Sequence, residues 1–293
     1  MASPTPDRFR HFVAIDWSGA AGERHRGIAV ALCGQGGSAP HLVRPGHRWS
    51  RSEVLDWLTG ELPDDALVGF DLSTSLAFAD RGAFFPGLEE SPASARELWA
   101  LVDRVCEEEA HLSVASFVDH AEFSRHFRRQ GGREGDLFGG GRGRFRATEH
   151  AQAAQGCKPY SNFNLVGAAQ VGKSSLTGMR LLHRLPPRLP VWPIDPLPTS
   201  GPAVVEIYTT LAALEAGRSA SRSKMRSHEE LNCALDALGS AAVPGTGSIE
   251  DHASDALLTA AWLRRAAFRP HLWQPAGLTG SIARTEGWTF GAP

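Results

Sequence analysis

Lysine is almost missing from this 293-residue chain. It stands only at Lys158, Lys173 and Lys224, and every other basic side chain apart from histidine is arginine. Together with abundant Ala, Gly and Pro, this reads as a compositional bias and not as a function. A strong excess of charge is missing too. The net charge is −2, so nothing global attracts a polyanion, and contact with nucleic acid needs a local basic patch. Cysteine is sparse. Cys33, Cys106, Cys157 and Cys233 form no CxxC pair and lie far apart, which argues against a zinc ribbon and gives no disulfide framework. The expectation is reduced, partly buried thiols in a cytoplasmic protein. No apolar run approaches the roughly 18 residues that span a bilayer. The stretch Met1–Pro6 lacks the charged start and apolar run of a secretion signal. What remains is ordinary for a soluble globular chain: 42% hydrophobic and 21% charged residues, with length enough for a large core.

The apolar runs predict an α/β order. His11–Ile15 reads as a buried strand ending at Asp16, Gly27–Leu32 as a second strand and His41–Arg44 as a short third. Ser50 and Glu53 form a capping-box signature before Val54, Leu55, Trp57 and Leu58, so a helix starts there. Ala66–Phe70 is a fourth strand ending at Asp71, and Ala203–Tyr208 a fifth carrying Glu206. Helices are expected over Ser94–Glu109, Lys173–Leu185, Leu211–Ala216, His228–Leu238 and Glu250–Phe268, and an edge strand within Ile282–Phe290. Arg125–Arg146 reads as a mobile or ligand-ordered loop. With no internal repeat and no clean linker, residues 1–293 are expected to form one domain, with 73–200 inserted between the fourth and fifth strands.

Five acids sit at informative places. Asp16, Asp71 and Glu206 lie in the apolar runs VAIDW, VGFDL and VVEIY, where an unpaired charge is costly to bury. Asp251 and Asp255 are one turn apart on the last long helix. Taken singly, each has a bland explanation: an acid after a strand caps a turn, and an acid at a helix start offsets the dipole. Together they predict convergence at one sheet edge if the strands are neighbours. Two carboxylates about 4 Å apart repel by roughly 4 kcal/mol at an effective dielectric near 20, so such a cluster takes up protons or binds a cation. Oxygen donors alone point to Mg²⁺ or Mn²⁺.

Three strands, a helix and a strand, with Asp on the first strand and an acid after the fourth, is the order of the ribonuclease H fold. The segments VAIDWSGA (Val13–Ala20), VGFDLS (Val68–Ser73), FNLVGAAQVGKSSLTGMRLL (Phe163–Leu182), VWPID (Val191–Asp195), VVEIY (Val204–Tyr208), DHASDALLTAAW (Asp251–Trp262) and EGWTF (Glu286–Phe290) resemble the predicted nucleases of the domain-of-unknown-function 429 family. The resemblance implies a ribonuclease H-like mixed sheet flanked by helices and metal-dependent phosphodiester hydrolysis of RNA or DNA. Carried over, Asp16 would bridge the metals, with Asp71, Glu206 and Asp255 as further ligands and Asp251 as an alternative ligand.

A second motif points elsewhere. Gly167–Ser174 matches GxxxxGKS, the phosphate-binding loop in which Lys173 would reach phosphate. Its expected context, a parallel strand leading directly into the loop, is missing, and Pro193 interrupts VWPID as a partner strand. The turn remains a place for a substrate phosphate. Ser18, Lys173, Lys224, Arg142 and Arg144 are the substrate-binding candidates. The arginines of 125–146, interleaved with Phe127, Phe138 and Phe145, read either as a phosphate footprint or as a solvated loop. Three functions stand at this point: a metal-dependent nuclease, a P-loop nucleotide-binding protein, and a non-catalytic binding module.

Overall fold

A computed structural model describes residues 8–166, 171–220 and 223–293. Gly167–Gln170 of the GxxxxGKS motif therefore lie outside the described residues. The strands are β1 (His11–Asp16), β2 (Ala29–Gly34), β3 (His41–Leu42), β4 (Ala66–Asp71), β5 (Arg128–Arg129), β6 (Arg133–Glu134), β7 (Val191–Trp192) and β8 (Ala203–Glu206). The helices are α1 (Arg51–Gly60), α2 (Ala95–Val105), α3 (Ala115–Val118), α4 (Ala147–Ala154), α5 (Val171–Arg184), α6 (Thr209–Glu215), α7 (His228–Ala237), α8 (Asp251–Ala266) and α9 (Gly280–Thr285).

Six of the strands form one mixed sheet in the order β3-β2-β1-β4-β8-β7. β2 runs antiparallel to β1 and β3, whereas β1, β4, β8 and β7 are parallel. The central strands are apolar on both faces, as expected of strands covered on two sides. Val13, Ile15, Val68, Phe70 and Val204 pack into one core with side chains of α1, α2 and α5. Phe12, Ala14, Leu67, Ala203 and Val205 alternate with them and pack into a second core with α6, α7 and α8. The chain is thus a helix–sheet–helix sandwich. Residues 73–200 supply α2 and α5 to the first layer and β7 to the sheet edge.

Local chemistry explains the boundaries. Ser50 accepts from the Glu53 amide while Glu53 accepts from the Ser50 amide, closing the expected capping box of α1. α2 and α7 are capped by Ser94 and Ser227, which accept from the Glu97 and Glu230 amides. Two expectations need correction. Ile282–Phe290 is not an edge strand: Thr279 caps the short helix α9, and only Thr289 then bridges to Glu206. Arg125–Arg146 is folded. Its arginines pair within the protein, Arg125 with Asp136, Arg128 with Glu134 and Arg129 with Asp119, and Phe127 and Phe138 are buried in the first core. No helix among the described residues is long and apolar enough to cross a membrane.

Candidate functional site

Asp16 ends β1 and Asp71 ends β4, and the two are register partners. Adjacent strands lie about 4.8 Å apart, so the carboxylates rise side by side on the face that α8 covers. The first turns of α8 bring His252 and Asp255 over them. His252 Nδ1 lies 2.8 Å from Asp16 Oδ2. Lys224, from the segment before α7, forms an ion pair with Asp255. Asp71 has Thr209 Oγ1 at 3.4 Å and no ion pair among the described residues.

The electrostatics follow from this crowding. Burial, then Asp16 and Asp255, pushes the Asp71 carboxyl well above the ordinary range. Burial pushes Asp255 up to about 6 against the pull of Lys224. The bond to Asp16 raises the His252 imidazole. Burial alone would lower the Lys224 ammonium, but Asp255, Asp16 and Asp71 hold it above its ordinary value. Three carboxylates thus share two nearby cationic groups, and the shortfall falls on Asp71.

A cleft of about 350 Å³ opens beside Asp71, past the carboxyl ends of β1, β4 and β8, the edge where parallel sheets characteristically take ligands. Its walls include Trp17, Ser18, Ser174, Tyr160 and Tyr208. Gly19 is required here. A Cβ on it would lie 2.3 Å from the Ser174 amide nitrogen, so only glycine lets the turn after β1 meet the first turn of α5. Arg51, itself buried, donates to the carbonyls of Ser18, Ala20 and His111 and pins that turn. Burial, together with Arg180, lowers its pKa to about 10.

The other expected site residues are placed differently. Glu206 pairs with Phe70, not with Asp71, in the register of β4 and β8, so its side chain emerges on the opposite face. There Arg146 engages both oxygens, Thr74 donates to Oε2 from its amide and hydroxyl, and Thr289 donates to Oε1. Arg146 outweighs burial and holds Glu206 below its ordinary value. Glu206 is thus the counter-ion of Arg146, and it lines the same cleft as Asp71. Asp251 lies on the solvent side of α8, 3.5 Å from Arg226. Arg144 is buried, bound to Asp80 and to the carbonyls of Ala77, Ala83 and Phe84, so it is not free for substrate. Arg142 is exposed and donates to the Pro159 carbonyl. Ser18 lines the cleft, and Lys173 stands half-buried on the first turn of α5 beside Ser174.

Of the GxxxxGKS segment only Val171–Ser174 are described, and their surroundings differ from those expected of a phosphate loop. The residues before it contribute only an isolated bridge, Asn164 to Arg128, in place of a strand. The Gly172 amide is bonded to the Asn164 carbonyl, and Asp195 of VWPID is held by Arg96 and by the Val191 amide.

His252 and Arg51 were not singled out in the sequence. The signal for His252 is its spacing: three residues before Asp255, on one helix face. Among the described residues no three His, Cys, Asp or Glu side chains are arranged to hold a metal ion, since Asp16 and Asp255 are turned onto His252 and Lys224. No protein-family model, curated protein or solved structure matches this chain.

Proposed function

We propose that the protein is a divalent-metal-dependent phosphodiesterase of ribonuclease H-like architecture acting on nucleic acid, with Asp16, Asp71 and Asp255 as the metal ligands and Mg²⁺ or Mn²⁺ as the ion. The observation that carries this reading is the register pairing of Asp16 and Asp71 beneath Asp255. The strand order, with an antiparallel second strand beside a parallel β1–β4–β8 core, supports the architecture, as does the resemblance of the motif series to the domain-of-unknown-function 429 nucleases.

The donors fit the ion in kind. All three are hard carboxylate oxygens, and Asp71 is an acid whose ionised form lacks a cation of its own. Lys224 and His252 carry the compensating charge while the acids stand alone, and both must give way for the acids to ligate. A bound divalent ion supplies Lewis acidity at a phosphoryl oxygen and lowers the pKa of its water. The protein's own part is to fix the acids on rigid strand and helix ends, to hold the Ser18–Ala20 turn through Arg51, and to admit one stretch of substrate through the cleft. Lys224, partly exposed beside Asp255, is placed to meet a phosphate oxygen.

Metal-dependent thermal stabilisation tests the reading. Mn²⁺ at about a hundred times its Kd should stabilise the fold by about 2.7 kcal/mol, and Mn²⁺-dependent cleavage of an oligonucleotide should accompany it. No shift of the melting temperature at millimolar Mn²⁺ would sink the proposal and leave the non-catalytic binding module in its place.

A further inference from the structure

We infer that the cleft beside Asp71 is a subsite for one unpaired nucleotide, with its base stacked on Tyr160, so that the substrate is single-stranded nucleic acid and not an intact duplex. This deepens the metal-dependent phosphodiesterase reading and rests on it for the reaction, though not for binding.

Three observations carry it. The first is size. At about 350 Å³ the cleft falls at the low end of the roughly 300–1,000 Å³ typical of small-molecule pockets, which suits one nucleoside unit and not a helix two strands wide. The second is depth. Asp16 and Asp255 are almost fully buried, and Asp71 meets the outside through the cleft wall it forms. A phosphate that approaches Asp71 through this cleft draws its own nucleotide in beside it, which a stacked, paired base resists. The third is the aromatic lining. The chain has two tyrosines, Tyr160 and Tyr208, and both line this cleft. Tyr160 is 52% exposed, and only it and Phe268 are large apolar side chains left exposed among the described residues. An open aromatic ring at the lip of a cleft is what sequence-tolerant stacking on single strands uses. Arg142, bonded to the carbonyl of the neighbouring Pro159, puts a cation beside the same lip.

The experiment is fluorescence anisotropy on the full chain in EDTA at low salt, with labelled hexathymidylate, hexauridylate and a blunt twelve-base-pair duplex. One or both hexamers should bind at least tenfold more tightly than the duplex, and their ratio tells DNA from RNA. Tyr160→Ala should weaken hexamer binding about tenfold or more, and Tyr160→Phe should leave it unchanged. Tyr160 is exposed, so both variants should melt with the wild type. Equal binding of duplex and hexamer, no binding of either, or a Tyr160→Ala loss below twofold overturns the subsite. Cleavage is scored separately in Mn²⁺. Tyr160-dependent binding without any cleavage refutes the phosphodiesterase and leaves the subsite. Cleavage indifferent to Tyr160 and to strandedness does the reverse.

Discussion

Asp16 and Asp71 face one another across the parallel register of β1 and β4, and among the described residues only Asp16 of the two has an ion-pair partner, His252. The pair is therefore unequal. Neutralising Asp71 removes repulsion and breaks no ion pair, whereas neutralising Asp16 also releases His252. Asp71→Asn should raise the metal-free melting temperature by about 2–5 °C and abolish the Mn²⁺-induced shift. A thermal-shift series with and without Mn²⁺ checks both halves. A variant that melts lower and still responds to Mn²⁺ would mean that Asp71 is a structural acid.

The same crowding sets a pH dependence. Asp71 and Asp255 have folded-state pKa values above their unfolded ones, Asp255 at about 6, and His252 is raised likewise. For each group the fold favours the protonated form. The stability it contributes is complete below the unfolded pKa and is lost as pH rises through the folded one. The metal-free protein should therefore lose stability from this cluster as pH rises from about 4 through about 6, the Asp255 value, and beyond, while Mn²⁺ affinity, which needs ionised acids, should rise over the same range. The readout is the melting-temperature difference between wild type and Asp71→Asn, which cancels the acids elsewhere. A difference that does not widen with pH would refute the assignment.

Glu206 and Arg146 form a buried pair with Glu149. Removing the guanidinium leaves two buried carboxylates uncompensated. Arg146→Met should cost about 3–5 kcal/mol of stability, read as a shift of the denaturant midpoint. Glu206→Gln should also destabilise, yet keep the Mn²⁺ response in full. Loss of that response would return Glu206 to the metal site.

Much of this was legible in the sequence, and the failures are instructive. β1, β4 and α1 announce themselves because apolar runs end at Asp16 and Asp71 and because Ser50 and Glu53 cap each other. Glu206 parts from Asp71 for a reason of register. An acid inside VVEIY says that a charge sits on a strand, but not which face it takes, and one residue of slip reverses the face. Phe70 stands opposite Glu206, so Glu206 went to the far side. The arginines of 125–146 misled because charge on a loop does not tell whether its partners are phosphates or the protein's own carbonyls and acids. Arg144 and Arg146 proved to be the latter. The missing strand for Ile282–Phe290 reflects a short apolar run whose period is ambiguous, decided by the Thr279 cap.

At the proposed metal site, Lys224 and the ion would compete for one carboxylate. Lys224 forms its ion pair with Asp255, and Asp16 and Asp71 also raise its pKa, so in the metal-free protein it supplies charge that the acids need. Lys224→Met keeps most of the aliphatic stem and removes that charge. Three consequences follow from the geometry. Metal-free stability should fall, because Asp255 is left buried without its cation. Mn²⁺ should bind several-fold more tightly, because a resident competitor is gone. Under the proposed reaction cleavage should nonetheless slow, because the variant lacks the ammonium that would stand beside the scissile phosphate. Calorimetric titration with Mn²⁺ gives the second result and single-turnover cleavage at saturating Mn²⁺ the third. The opposed signs are the point of the test: a lysine that only stabilises the fold would leave both the Mn²⁺ affinity and the saturated rate where they were.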